Sequence, residues 1–318
     1  LGPTNVTVTE YDGGNYPPAA GPFDRVLVDA PCSGEGTLRR QSGKRPWSSL
    51  ERSVKFARKQ TALLRKAARL CRPGGRIVYS TCTFAPEENE CVVDAVLEHY
   101  TDFDLHVVPA PVAGLPQGAG VTDWDGRKLR PDLAHAVRLW PHHGDTGGFF
   151  VAVIEKRGGT ADGDGELWPI DPAPREGWWG PVAERFGIAP EVWERDVVYR
   201  TSAGRLHLAP RGNRPPAAPA PASAGLRFVT DRNDHAKLTT PAALVLAPHA
   251  TRNVVELDDA GTARFLARED QPLNPATIAA CDGPGYVLVR HRGFGLGVGV
   301  LLTEKGLLRS RFPKRWSC

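Results

Sequence analysis

FDRVLVDAPCSGEGTLRR, residues 23–40, decides how this chain is read. RVLVD at 25–29 is a nearly continuous apolar run, the pattern of a strand covered on both faces, and it leads through Asp29 and Pro31 to Cys32 among glycines. GGRIVYSTCTFAPEENE, residues 74–90, repeats the arrangement, with a strand predicted at 76–81 and Cys82 just past it. In parallel α/β sheets ligands bind beyond the carboxyl ends of the strands. The two thiols and Asp29 are therefore expected to face one pocket.

Between these strands, Leu50, Val54, Ala57, Thr61, Leu64, Ala68 and Cys71 recur at steps of four and three. That spacing predicts a helix with one buried stripe, opened by a Ser48/Glu51 capping box and stopped by Pro73-Gly74-Gly75. NVTVT (5–9) reads as a further strand, LHVV (105–108) and FFVAVIEK (149–156) as two more, and a helix is expected from about Pro86, with Glu87, Glu88 and Glu90 in its first turn. Strands alternating with helices give a mostly parallel α/β domain over 1–157. GGTADGDGE (158–166) and PPAAPAPASAG (215–225) have linker composition, so 158–224 is taken as linker and small intermediate segment, and 225–318 as a small β-rich domain. Within it, 285–302 predicts two strands, the second placing Phe294, Leu296, Val298 and Val300 opposite Gly295, Gly297 and Gly299. The glycines suit either a bulged strand or a bare backbone face approached closely by a ligand.

At 318 residues the chain is long enough for about two domains. No apolar run nears the roughly 18 residues of a membrane span, and the first residues lack the pattern of a signal peptide, so a cytoplasmic location is expected. The six cysteines form no C-x-x-C pair and no short-spaced framework, which argues against structural zinc and a disulfide scaffold; no metal site is expected. The net charge of +4 is unevenly spread: Leu38–Arg72 holds twelve Lys or Arg against Glu51 alone, and Arg290–Cys318 seven against Glu304. Clustered positive charge on an otherwise acidic chain suits a polyanionic partner.

A thiolate can add to an electron-poor ring carbon, and C6 of cytosine becomes one when N3 is engaged by an acid. Addition makes C5 enamine-like and able to accept a methyl group, after which the C5 proton must leave and the thiol must be expelled. Such a reaction needs a nucleophilic Cys, an acid and a release partner. Cys82, Cys32 and Asp29 have that composition. A cysteine hydrolase would need a His partner for its thiol, and no histidine falls on a neighbouring strand end.

D-A-P-C-S-G-E-G-T at 29–37, W-S at 47–48, Gln60 before the leucine pair, and Y-S-T-C-T-x-x-P-E-E-N-E at 79–90 together resemble the RNA cytosine-5 methyltransferases of the Sun family. G-G-F-F-V-A at 147–152 and R-F-P-K-R-W at 311–316 are most similar to its RsmF-type branch. The resemblance implies a Rossmann-like S-adenosylmethionine methyltransferase sheet followed by a PUA-like RNA-binding domain, acting on RNA, ribosomal rather than transfer RNA. It implies Cys82 as nucleophile, Cys32 as the cysteine that helps product release, Asp29 near the cofactor's methionine end and the target base, and Asp12 near the adenosine. It further implies RNA phosphate contacts from Lys44, Arg45, Lys55, Arg58 and Lys59, and from Arg309, Arg311, Lys314 and Arg315 in the C-terminal domain. Such contacts are salt-sensitive and carry no sequence readout.

The chain departs from the family pattern at its start. Its first strand matches the third of the methyltransferase fold, no G-x-G-x-G precedes it, and Met is absent even at position 1. The expectation is a C-terminal portion of a longer enzyme, with the first strands of the sheet missing and unable by itself to bind cofactor normally or to act. The alternative is a non-catalytic RNA-binding or ribosome-assembly factor derived from such an enzyme.

Overall fold

The computed structural model describes residues 3–40, 49–163, 167, 179–201, 204–213, 215–230 and 237–316. Of the alternating stretch 5–9, only Thr7–Val8 (β1) enters a ladder, and it pairs with Ser223–Ala224 rather than with the cysteine-bearing strands. The Val6 and Val8 carbonyls accept from the Gly225 and Ala222 amides, which satisfies this segment away from that sheet. The described residues fall into two compact units, one within 10–167 and 216–220, the other within 1–9, 168–215 and 221–318.

The first unit is built on the two predicted strands, Phe23–Asp29 (β2) and Cys71–Thr81 (β3), which run parallel with Asp29 opposite Ser80. Between them lies helix α1 (Leu50–Leu70), capped by Ser49, whose hydroxyl accepts the Arg52 amide. The expected cap, Ser48, lies outside the described residues. The stripe also differs from the spacing: Leu50 and Val54 are exposed, while Ser53, Gln60, Leu64, Ala67 and Ala68 are buried. A buried polar pair, Ser53 and Gln60, thus replaces apolar positions that periodicity had favoured. Cys71 ends the helix and opens β3, so that strand starts five residues before the predicted 76.

After a single turn at Pro86–Glu88 comes helix α2 (Glu90–His99), and then short strands β4 (Leu105–Val107), β5 (Gly118–Ala119) and β6 (Val137–Leu139). Strand β7 (Phe149–Lys156) pairs antiparallel with β3, β4 and β6. The sheet is therefore mixed: β2–β3 is its parallel pair, and the expectation of a mostly parallel sheet is corrected by β7, which returns through the sheet as its most paired strand. On its other edge β2 has no partner among the described residues. Val28, Leu64, Ile77, Tyr79, Val93, Phe150 and Ile154 share one buried core between sheet and helices.

In the second unit, helix α3 (Trp179–Phe186) buries Val182 and Phe186 in the same core as Leu208, Leu246 and Leu288. That shared core groups α3 and the strands that follow it with the C-terminal residues, whereas 158–163, 167 and 216–220 of the expected intermediate segment fall in the first unit. Strands β8 (Asp196–Arg200), β9 (Leu206–Pro210) and β11 (Leu226–Arg227) form a three-stranded antiparallel sheet; β10 is the Ser223–Ala224 partner of β1. Helix α4 (Thr240–Leu246) precedes a five-stranded sheet of β12 (Val254–Glu256), β13 (Gln271–Pro272), β14 (Gly285–His291), β15 (Phe294–Leu302) and β16 (Leu307–Ser310), in the order β12-β14-β15-β16-β13. The two readings of the β15 glycines resolve here. A Cβ at Gly295 would lie 2.8 Å from the Ala243 carbonyl oxygen of α4, and one at Gly299 2.5 Å from Leu308 Cδ1. The bare face is filled by the chain's own elements, and the hairpin is bulged at Val289/Arg290.

Candidate active site

Parallel pairing of β2 and β3 carries both chains to the same end of the sheet, and the ladder continues past the strands, with the Ala30 amide on the Ser80 carbonyl at 2.9 Å. Cys32 and Cys82 follow. Their sulfurs lie 3.1 Å apart, and the Cys82 amide donates to Cys32 Sγ at 3.3 Å. Asp29, at the last position of β2, is exposed and accepts from Ser80 Oγ at 3.3 Å. The expected convergence of the two thiols is thus present in the geometry, while the Asp29 carboxylate meets Ser80.

The loops that hold these groups are tied at several points. Gly34 has φ +81°, a conformation that glycine adopts without strain. The Gly36 amide donates to the Cys82 carbonyl and the Gly148 amide to the Gly36 carbonyl, both at 2.9 Å. A Cβ at Gly36 would sit 2.1 Å from the Gly148 oxygen, so the backbones touch where side chains are absent. Ser33 Oγ and Thr83 Oγ1 are 2.7 Å apart, and Glu35 accepts from both Thr83 Oγ1 and the Phe84 amide.

Below the loops lies a polar layer that periodicity gave no reason to expect. Gln60, Glu88, Asn89 and Glu90 are fully buried. The glutamates predicted as a helix-dipole turn do other work. Glu88 accepts from the Ser33 amide and from Gln60 Nε2, each at 3.0 Å, and Glu90 makes a two-pronged ion pair with buried Arg138 at 2.7 and 2.5 Å. Only Glu87 stays near the surface, against Trp124 Nε1. Thr81 donates to Asn89 Oδ1 at 2.6 Å. The available signal was Gln60 and the E-E-N-E run within the quoted motifs; nothing in the spacing told which of them turn inward.

Burial, then the hydrogen bond with Cys82, pushes the Cys32 thiol up to about 12. That shift disfavours the Cys32 thiolate. Beside Asp29 a groove of about 420 Å³ runs along β2 and α1, lined chiefly by apolar groups such as Leu27, Leu63 and Leu70, with Arg25, Asp29 and Lys66 its charged members.

A cofactor with an adenosine, a ribose diol and a charged amino-acid end needs several polar partners. Asp12 directs its two oxygens to Gly14 N and Asn15 Nδ2 of its own turn, and a Cβ at Gly13 would meet Leu63 Cδ2 at 2.9 Å. Along the groove the charged groups that could meet the polar ends of such a ligand are Arg25, Asp29 and Lys66.

Of the expected RNA contacts, Lys44 and Arg45 lie outside the described residues. Lys55, Arg58 and Lys59 are exposed along α1. Arg309, Arg311, Lys314 and Arg315 are exposed as well, but Arg309 is paired with Asp270 at 3.1 Å. No group of three or more metal-binding side chains occurs among the described residues, and no helix there is long and apolar enough to cross a membrane.

Residues 1–155 match the family model of the 16S rRNA methyltransferase RsmB/F, and residues 252–317 match that of the methyltransferase RsmF PUA domain. The chain is 31% identical to the ribosomal RNA small subunit methyltransferase F of Aeromonas salmonicida over 94% of its own length and 60% of that relative's. It is 39% identical to the tRNA (cytosine(49)-C(5))-methyltransferase of Pyrococcus abyssi over 47% of each chain. Among solved structures, a methyltransferase homologue from Pyrococcus horikoshii aligns with 35% identity and a TM-score of 0.36, covering 43% of this chain and 40% of that one. The chain thus spans about 60% of the length of that Aeromonas salmonicida relative.

Proposed function

We propose that this chain, which matches the RsmB/F methyltransferase model over residues 1–155 and the RsmF PUA model over 252–317, serves to methylate C5 of cytosine in ribosomal RNA through a covalent Cys82–C6 adduct. The observation that carries this reading is the 3.1 Å approach of the Cys32 and Cys82 sulfurs just past the ends of adjacent parallel strands, where Asp29 stands opposite Ser80. Cys82 would form the bond to C6, giving C5 the electron density to accept a methyl group. In this family that group is expected from S-adenosylmethionine. Removal of the C5 proton then allows the C6–sulfur bond to break and Cys82 to leave. Cys32, whose sulfur lies 3.1 Å from that of Cys82, is placed to assist this release. Ribosomal RNA is proposed because the relative that covers 94% of this chain is named for it.

The test uses the protein with a cytosine-bearing ribosomal RNA and S-adenosylmethionine. Cys82→Ala should abolish methyl transfer with no adduct. Cys32→Ala should accumulate a protein–RNA adduct on a denaturing gel. Loss of activity in both variants without an adduct in either would overturn the division of roles.

A further inference from the structure

Cys32 is bracketed by two hydrogen bonds that end on one buried pair of side chains. On its N-terminal side the Pro31 carbonyl accepts from Gln60 Nε2 at 2.9 Å; on its C-terminal side the Ser33 amide donates to Glu88 Oε2 at 3.0 Å. Gln60 Nε2 also donates to Glu88 Oε2 at 3.0 Å, which closes the bracket. Both side chains are fully buried, and the main chain of Glu88 is itself fixed, its carbonyl accepting from Tyr79 OH at 2.6 Å. We propose that Gln60 and Glu88 act together as positioning residues, clamping the peptide groups on either side of Cys32 so that its sulfur is held against Cys82.

Two features favour this over a role in packing. Gln60 sits where α1 faces the core, and apolar side chains would be the stable choice there. Moreover, Gln60 Oε1 and Glu88 Oε1 are buried without a hydrogen-bond partner, a cost that a layer selected for stability alone would avoid. The clamp also acts on a specific point. Gln60 belongs to α1 and Glu88 to the turn after β3, so a shift of either element is transmitted to the loop between Ala30 and Gly34. The catalytic meaning of the clamp rests on the proposed roles of the two cysteines; the geometry it sets does not.

Sulfur-to-sulfur distance can be read without methylation. Diamide oxidises two neighbouring thiols to a disulfide, being itself reduced to the hydrazine as it takes up both protons and both electrons. In the intact chain, formation of the Cys32–Cys82 disulfide is followed by peptide mapping after timed quenching, with far-UV circular dichroism as the folding control. Gln60→Ala and Glu88→Ala should slow it by at least about tenfold, as expected when reacting atoms lose their alignment. Glu88→Gln, which keeps an acceptor oxygen for Ser33 and Gln60, should stay within about threefold of the parent. A folded Gln60→Ala variant that oxidises at the parental rate would overturn the proposal, as would Glu88→Gln behaving like Glu88→Ala. Should Glu88→Ala not fold, Gln60→Ala and Gln60→Leu decide the matter. In methylation assays Gln60→Ala and Glu88→Ala should lose kcat with KM for RNA little changed. Rapid oxidation of the parent together with a Cys82→Ala variant that still methylates would refute the proposed function and leave the clamp standing.

Discussion

The unit that carries the thiols and the C-terminal five-stranded sheet solve opposite problems. Around Cys32 and Cys82, polar groups are turned inward: Gln60, Glu88, Asn89, Glu90 and Arg138 are all buried. On the C-terminal sheet the cations stay outside and several meet acids at the surface, Arg290 with Glu256, Arg292 with Asp259, and Arg309 with Asp270. Buried ion pairs contribute little net stability but cost much when broken, whereas exposed pairs are worth little either way. The first region is therefore specified in detail and intolerant of change; the second can be altered residue by residue.

The largest effect should come from breaking the Glu90–Arg138 pair. Arg138→Leu leaves a buried carboxyl group without its partner and should lower unfolding stability by about 3–5 kcal/mol in urea titration. A loss under 1 kcal/mol, of the order of a surface pair, would erase the contrast between the regions. Next comes the backbone contact between the loops. Gly36→Ala should destabilise by about 1–3 kcal/mol and separate the thiols, because its Cβ meets a main-chain oxygen. Gly299→Ala should cost less, since the obstacle there is the movable end of Leu308.

A smaller effect sharpens the view of the second unit. Burial lowers the pKa of His207, with Arg227 and Arg205 adding to the shift and a hydrogen bond involving the Ala224 backbone opposing it. Acidification protonates the unfolded chain first, so stability is complete above the ordinary histidine value near 6.5 and falls as pH drops from there towards the lower folded value. The fall cannot exceed about 1.4 kcal/mol per pH unit for one group. His207→Gln should flatten the thermal-stability profile between pH 7 and 5; an unchanged slope would assign the loss to other groups. The smallest effect concerns Arg309. Asp270→Asn should free its guanidinium and steepen the plot of log affinity for RNA against log salt by less than about one unit. No change would remove Arg309 from the RNA-facing set.

Much of this architecture could be read from the chain. The run at 25–29, the strand leading to Thr81, and 149–156 were legible because consecutive apolar residues in a covered sheet leave a continuous signal. The meeting of Cys32 and Cys82 followed from the rule that parallel strands deliver their ends together. What escaped was the inward polar layer. Periodicity assigned α1 a stripe through Leu50 and Val54, yet both are exposed, and Gln60 is buried in its place. A helix moment sums hydrophobicity and cannot distinguish a glutamine that faces water from one that holds a loop. For the same reason Glu88 and Glu90 read as a helix start, since their partners Ser33 and Arg138 lie 55 and 48 positions away. The strand at 5–9 was correct in propensity but not in partner, because β1 pairs with residues more than two hundred positions distant.

The ladder that sets Asp29 opposite Ser80 has an evolutionary corollary. Deleting one residue from either strand would slide its terminal loop by about 3.3 Å and turn alternate side chains to the other face. The two cysteine motifs can therefore drift in composition only while their rungs stay aligned. Lineages that gain or lose residues should do so beyond α2, sparing both strands and the cysteine loops that follow them.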